Sequence, residues 1–169
     1  MTERFFLKGA VDMSKFFRLI DEYKQRLESF LSDCDAVGKS GAWDRDEYGD
    51  MDTYYTGELV GLCARMIAGD EAIEEDDCEF MTRAFGFEYS PEEVDELYAS
   101  CRFWDADTEV ELRDSIRELT AISPMLSDDY RKLVSLSAEI LLESGRKSEE
   151  ELNLVKQIYE ITVEEGAAR

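Results

Sequence analysis

The chain of 169 residues lies within the usual range for one domain, and its 44% apolar and 11% aromatic residues are too many for a disordered acidic tail. Its net charge of −22 argues against unassisted binding to nucleic acid or to anionic membranes and permits binding to cations or basic proteins. The absence of histidine excludes Ser-His-Asp and Cys-His catalysis, His-bearing zinc sites and carboxylate–histidine di-iron sites.

Seven amphipathic helices are predicted, and no segment of convincing length alternates as a strand would. The fold class expected is therefore all-α, in a single domain over residues 1–169. In chain order the helices cover 11–34, 52–69, a segment from within the acidic run near 70–79 to Gly86, 89–104, 106–123, 127–144 and 147–166.

Capping residues mark several helix ends. Ser90 is the expected N-cap of the fourth helix, followed by Pro91 at the first helical position and by Glu93 in a capping-box arrangement. The other expected N-caps are Asp52 or Thr53, Asp107 or Thr108, and Ser148, and Ser123-Pro124 is expected to close the fifth helix.

The segment "AVGKSGAWDRDEYGDM" (36–51) is predicted to be a Gly-rich polar loop. It is long for a compact domain, so it is either mobile or functional. Trp43 within it is a candidate for a partner-binding edge, because exposed aromatic residues often anchor interfaces; burial against the first helix is the alternative.

The four cysteines are scattered, without a CxxC pair, so a Cys₄ zinc site is not expected. No secretory signal, transit peptide or membrane-spanning stretch is evident. We therefore expect a cytoplasmic protein with free thiols, in which Cys63 and Cys78 act as small core residues.

The sequence contains an internal repeat. Residues 59–85 align with residues 133–159 without a gap, and the apolar positions match across the polar break between two helices. Amphipathic helix pairs share such patterns by chance, but the ungapped match favours a duplicated helical hairpin with a pseudo-two-fold relation. The expected organisation is an N-terminal helix and loop (1–51), a first repeat (52–104) and a second repeat (105–165).

The stretch "ARMIAGDEAIEEDDCEFM" followed by "FGFEYSPEEVDELY" resembles the TerB-like family, named for tellurite resistance. The family hairpin runs from an Ala-rich helix through D-G-x-I-x-x-x-E into a second helix, then a Gly and a Ser-Pro-Glu-Glu helix. Asp70 matches its Asp, Ile73 its Ile, and Asp77 stands at its Glu, whereas Glu71 replaces its Gly. In the second copy Gly145 and Glu151 match, and Ser144 and Lys147 depart.

The resemblance, over residues 52–100 and 128–162, implies an all-helical, pseudo-symmetric bacterial cytoplasmic domain. It also implies acidic inter-helix turns that can take a divalent cation, and a role as a module beside stress-response or membrane-associated components. The departures at Ser144 and Lys147 argue against a second cation site.

Two interpretations of the first acidic turn remain open. An EF-hand is excluded, because Met66 and Ala68 would fall at ligand positions. A looser, weak Ca²⁺ or Mg²⁺ site could use Asp70, Glu74 and Asp77. Alternatively, Asp70 caps the third helix and the following carboxylates face water near the positive end of the helix dipole, in which case millimolar Ca²⁺ or Mg²⁺ would change thermal stability little.

The function expected is a non-enzymatic module that binds a protein partner, plausibly a basic one, without inserting into a membrane. One alternative is a Mg²⁺-dependent hydrolase of the helical nucleotide-pyrophosphatase kind, using acids in 92–96 and 109–114, although these fall mainly on the solvated sides of their helices. The other is a DNA mimic that occupies a basic protein cleft.

Overall fold

A computed structural model describes residues 2–68, 73–101, 103, 107–144 and 148–168, with side chains from residue 13 onwards. These residues form eight α-helices and no β-strand, which confirms the all-α expectation. The helices are α1 (Thr2–Lys39), α2 (Arg45–Tyr48), α3 (Met51–Ile67), α4 (Glu75–Phe85), α5 (Pro91–Ser100), α6 (Thr108–Ile122), α7 (Pro124–Glu143) and α8 (Glu149–Ala167).

Helices α1 and α7 pack against each other and form the centre of the bundle. Helix α1 also packs against α3 and α4, while α7 also packs against α6 and α8, and α3 against α5. The buried apolar side chains of α1 recur at intervals of three and four residues, as the amphipathic pattern predicts: Phe16, Ile20, Tyr23, Leu27 and Phe30. Together with apolar residues of α3 to α8 they form one hydrophobic cluster.

Local chemistry fixes most helix starts where the sequence indicates them. Ser90 Oγ accepts the Glu93 backbone N–H at 3.2 Å, and Glu93 Oε1 accepts the Ser90 N–H at 3.4 Å. Asp107 caps α6 through the Glu109 N–H, and Ser148 caps α8 through the Glu151 N–H. Each of these carboxylate or hydroxyl groups satisfies backbone donors that a helix start leaves without an intrahelical partner.

Other boundaries differ from the expectation. The predicted loop 36–51 is largely helical, because α1 continues to Lys39 and the short α2 lies within the segment. The N-cap position of α3 is Asp50, not Asp52 or Thr53. Helix α7 begins at Pro124, three residues before the expected start, because Ser123 ends α6 and also caps α7 through the Leu126 N–H. Val110, an apolar residue of α6, is 51% exposed and does not belong to the buried face of that helix.

Two further contacts join the helices. A Cβ atom at Gly61 would lie 2.8 Å from Cys101 Cβ, so α3 approaches the end of α5 at a position that only glycine fills without a shift.

Ion pairs join α6 to α8. The buried Glu165 of α8 binds Arg117 of α6 at 2.8 Å and Arg113 at 3.5 Å. These charged groups tie α6 to α8 at the edge of the core.

Among the residues with assigned placement, no helix combines the length and the apolar character required to cross a lipid bilayer.

Candidate functional site

The first acidic junction begins α4. Its N-cap is Glu74, and the Asp77 carboxylate accepts the Glu74 backbone N–H at 3.4 Å from the third helical position. Glu74 is exposed, whereas Asp77 is only 2% exposed. Asp70, the third member of the predicted cation-binding set, lies outside the described residues. The cap is therefore Glu74 and not the predicted Asp70, and Asp77 is buried where it was expected to face water; Glu74 and Asp77 together account for part of the acid in this run.

Asp77 also links the two halves of the predicted repeat. The Ser144 hydroxyl shares its single proton between two acceptors, Asp77 Oδ1 at 3.1 Å and the Leu141 carbonyl at 3.0 Å. Ser144 is the residue at which α7 ends and the second junction begins. The N-terminus of α4 therefore lies against the C-terminus of α7 through a buried hydrogen bond.

Within the described ranges, no group of three or more Cys, Asp or Glu side chains is arranged to hold a metal ion. The acids proposed for the hydrolase alternative are not gathered into a buried site. Glu92, Asp95 and Glu96 of α5 are exposed. On α6, Glu109 binds Arg113 of its own helix at 3.0 Å. These carboxylates behave as the solvated faces of amphipathic helices.

Trp43 is half-buried and held in place. Its indole Nε1–H donates to the Gly49 carbonyl at 2.8 Å, which closes the segment around α2. Asp44 caps α2 through the Glu47 N–H, and Arg45 binds Asp50 at 2.7 Å. The predicted partner-binding residue is thus part of a braced corner between α1 and α3.

Three tyrosines surround Trp43. Its ring centroid lies 5.3 Å from that of Tyr48, 5.1 Å from Tyr54 and 5.8 Å from Tyr55. Tyr48 is 49% exposed, whereas Tyr55 is 2% exposed and lies at the base of the group. Offset and edge-to-face arrangements at these separations are the favourable ones for aromatic rings.

These four rings line a cavity of about 590 Å³, which we call the aromatic pocket. Its wall is completed by Asp44 beside Trp43 and by Glu118 and Ile122 near the end of α6. This volume is within the range of pockets that hold small ligands or peptide side chains. It brings aromatic faces and carboxylates together.

The floor of the aromatic pocket lies in a negative electrostatic environment. Burial raises the pKa of Tyr55 well above its usual range, and the neighbouring Glu58 carboxylate raises it further. Glu58 is itself buried in the core and accepts the hydroxyls of Ser115 at 3.3 Å and Tyr130 at 3.4 Å. Burial alone would disfavour any charge, so it is the negative charge of Glu58 and Glu118 near Tyr55 that favours a cation.

Sequence reasoning identified Trp43 but not the pocket around it. Tyr48, Tyr54 and Tyr55 follow Trp43 within twelve positions, and this concentration of aromatic residues is the signal that could have drawn attention to them. The contribution of α6 carries no such signal, because Glu118 and Ile122 lie more than sixty positions further along the chain.

Comparisons with protein-family models, with curated proteins and with solved structures find no match to this chain.

Proposed function

We propose that this protein is a non-enzymatic, acidic helical module of the TerB-like type that binds a basic protein partner in the bacterial cytoplasm, in a stress-response setting. The observation that carries the proposal is the excess of negative charge. Pairing every Lys and Arg with one carboxylate would still leave 22 acidic groups over. Such a field attracts cationic surfaces and accelerates their association.

The distribution of acids in the fold supports this role. Glu92, Asp95 and Glu96 form an exposed acidic face on α5, and Glu149, Glu150 and Glu160 are exposed on α8. They are spread over helices that lie at different places in the bundle, which suits a broad basic surface better than a compact ligand. It also differs from the single ridge of carboxylates expected of a DNA mimic.

The duplicated hairpin belongs to the same proposal. Helices α4 and α8 begin at Glu75 and Glu149, which differ by the 74 positions of the sequence repeat. Asp77 and Glu151, both buried acids at the third helical position, keep the same offset, and seven of the eleven buried positions of α3 are buried again in α7. The set is Leu59, Val60, Leu62, Cys63, Ala64, Met66 and Ile67 against Leu133, Val134, Leu136, Ser137, Ala138, Ile140 and Leu141.

Affinity capture from the native bacterium at low and high salt tests the partner proposal. We expect a basic protein that is retained at about 0.1 M salt and released near 1 M, where the Debye length falls from about 10 Å to about 3 Å. Replacing three acids of the α5 face, Glu92, Asp95 and Glu96, by Gln or Asn should weaken retention. If the amount of captured protein changes neither with salt nor with these substitutions, the proposal is wrong.

The enzyme alternative has its own assay. Incubation with nucleoside triphosphates and Mg²⁺ should give no release of phosphate or pyrophosphate above that of a heat-denatured control. Turnover that is lost when Glu92 and Glu96 are replaced by Gln would establish the hydrolase instead.

Asp70, Glu74 and Asp77 remain the predicted ligands should Ca²⁺ or Mg²⁺ bind. Both oxygens of the buried Asp77 are engaged, by the Glu74 N–H and the Ser144 hydroxyl, which argues against their use as ligands even though the cap is Glu74 and not Asp70. We therefore expect millimolar Ca²⁺ or Mg²⁺ to leave the melting temperature nearly unchanged. A rise of several degrees that Asp70→Ala abolishes would establish the cation site.

A further inference from the structure

The aromatic pocket carries an inference about which group of a partner it recognises. Its wall combines the faces of Trp43, Tyr48, Tyr54 and Tyr55 with the carboxylates of Asp44 and Glu118. Aromatic faces attract cations through their quadrupole, most strongly in the case of Trp, and carboxylates attract them through charge. Both kinds of group therefore select for a cationic ligand.

The geometry of Trp43 prepares it for such a ligand. Its one donor is already committed to Gly49, so what the indole offers a ligand is its aromatic surface. The Arg45–Asp50 ion pair and the Asp44 cap brace the segment that carries it. Little conformational entropy is then lost at this ring on binding.

The chain's own contacts illustrate the preferred cation. Arg65 lies over the ring of Tyr98 and Arg83 over the ring of Phe17. Over the rings of Trp43, Tyr48 and Tyr55, by contrast, no arginine or lysine of the described residues is placed. At both of the chain's own contacts, the cation placed on an aromatic ring is an arginine.

An arginine suits this wall better than a lysine. The guanidinium group is planar and weakly hydrated, so it stacks on rings, and its fork of N–H donors matches a carboxylate. The ammonium group of lysine is compact and strongly hydrated, so it loses more on leaving water. A cavity of about 590 Å³ also exceeds one guanidinium group and leaves room for the stem of the side chain.

We propose that the aromatic pocket binds an arginine side chain presented by a basic protein partner. The identity of the partner as a protein rests on the proposed function, whereas the preference of the pocket for arginine follows from its lining. The pocket then supplies the specific contact, and the acidic surface supplies the long-range attraction.

The direct test uses three short peptides that differ at one position: acetyl-Gly-Arg-Gly-amide, its neutral isostere with citrulline, and the lysine version. Binding is followed by NMR through the indole N–H signal of Trp43, assigned by its loss in Trp43→Phe. For one side chain we expect a dissociation constant of about 1 mM for the arginine peptide, and about tenfold weaker binding of citrulline. The lysine peptide should fall between them.

Matched substitutions locate the site. Tyr48→Leu and Glu118→Gln alter the exposed wall of the pocket, and each should weaken the arginine peptide about threefold, as expected for loss of one ring or one charge at a partly exposed site. Tyr159→Leu and Glu160→Gln make the same chemical changes on exposed residues of α8 and should leave the affinity unchanged. Thermal melts of all four variants are the control that each of them folds.

The outcomes separate the two proposals. If citrulline or lysine binds as tightly as arginine, if no peptide shifts the Trp43 signal at about 10 mM, or if the α8 variants weaken binding equally, the arginine assignment is wrong. Salt-sensitive capture of a basic protein in that case would leave the proposed function intact. Conversely, arginine binding at the pocket without capture of any basic protein would remove the proposed function but keep the pocket.

Discussion

The Ser144 hydroxyl donates a buried hydrogen bond of 3.1 Å to Asp77 Oδ1, across 67 positions of the chain. It joins the C-terminal end of α7 to the first turn of α4, so two junctions that the sequence repeat pairs are also in contact. Asp77 uses its other oxygen for the Glu74 N–H. The bond places a carboxylate predicted as a cation ligand within the packing of the bundle.

Ser144→Ala should destabilise the fold. The substitution removes a donor from a buried carboxylate, which costs about 1–3 kcal/mol. For a chain of this size that lowers the melting temperature by about 2–4 °C per kcal/mol, measurable by circular dichroism. Ser135→Ala is the control, because the Ser135 hydroxyl is exposed and bonds only to the Lys132 carbonyl of its own helix. Equal effects at both positions would show that the bond to Asp77 contributes nothing.

Two glycines of α3 should respond in opposite directions to alanine. At Gly61 the added Cβ meets Cys101 Cβ at 2.8 Å, and the required shift should cost about 1–3 kcal/mol. At Gly57 an added Cβ would meet no atom of the described residues within 4 Å beyond the local backbone of its own helix, so Gly57→Ala should stabilise the helix by about 0.5–1 kcal/mol. Denaturant unfolding of both variants measures the difference, and a stabilising Gly61→Ala would contradict the close approach of α3 to the end of α5.

Asp129 should make stability depend on pH. Burial raises its pKa above the ordinary 3.8, and the nearby Asp33 and Asp128 carboxylates raise it further, although Arg26 opposes them. The folded state therefore holds the proton more tightly than the unfolded state. The cost of ionised Asp129 is present at neutral pH, declines as the pH falls through the raised pKa, and vanishes below 3.8.

Asp129→Asn should accordingly stabilise the protein at neutral pH, by less than about 0.5 kcal/mol because solvent screens a partly exposed carboxylate, and the gain should disappear in acid. Melting temperatures from pH 7 down to about pH 3.5 follow the change through the ordinary Asp pKa range. Asp114→Asn, at an exposed position of α6, is the matched control. A gain that stays constant with pH would mean that its cause is not ionisation.

The cysteines should differ in reactivity. Burial raises the pKa of Cys34 and of Cys63 to about 12, which leaves about one thiol in ten thousand ionised at pH 8. Cys78 is also buried, whereas Cys101 is partly exposed. Iodoacetamide at pH 8 should label Cys101 first, as peptide mapping by mass spectrometry would show, and all four in denaturant. Native Cys34 labelled as fast as Cys101 would indicate that α1 opens readily.

The parts of this fold that sequence predicts are those set by neighbouring residues. Ser90 and Ser148 are caps as predicted, and Asp107 is the one of the two predicted residues that caps α6; each bonds to a backbone N–H two or three positions ahead, so neighbouring residues suffice to predict it. The inward face of α1 follows from spacing alone. The predicted start of α7 is wrong because Ser123-Pro124 ends α6 and also begins α7 without a loop between them. The sequence prediction assigns this pair only to the end of α6.

The parts that escaped prediction depend on distant packing. Gly38 was assigned to a loop, yet a Cβ there would lie 3.0 Å from Met51 Cβ, so its lack of a side chain lets the end of α1 lie against the start of α3. The aromatic pocket is lined by both Trp43 and Glu118 of α6, and no local sequence pattern predicts that these two residues line one pocket. The sequence likewise does not reveal the bond between Asp77 and Ser144, so it gives no reason to exclude Asp77 from the predicted ligands.

The packing of α1 on α7 has a consequence for biosynthesis. Translation releases α1 well before α7, so the part of the Phe16–Phe30 stripe that α7 covers stays exposed until residues some hundred positions downstream have emerged, whereas α3 and α4 cover other parts earlier. Such distant pairing slows folding and prolongs the exposure of aggregation-prone surface. Mutual repulsion among the many carboxylates keeps nascent chains apart during that delay.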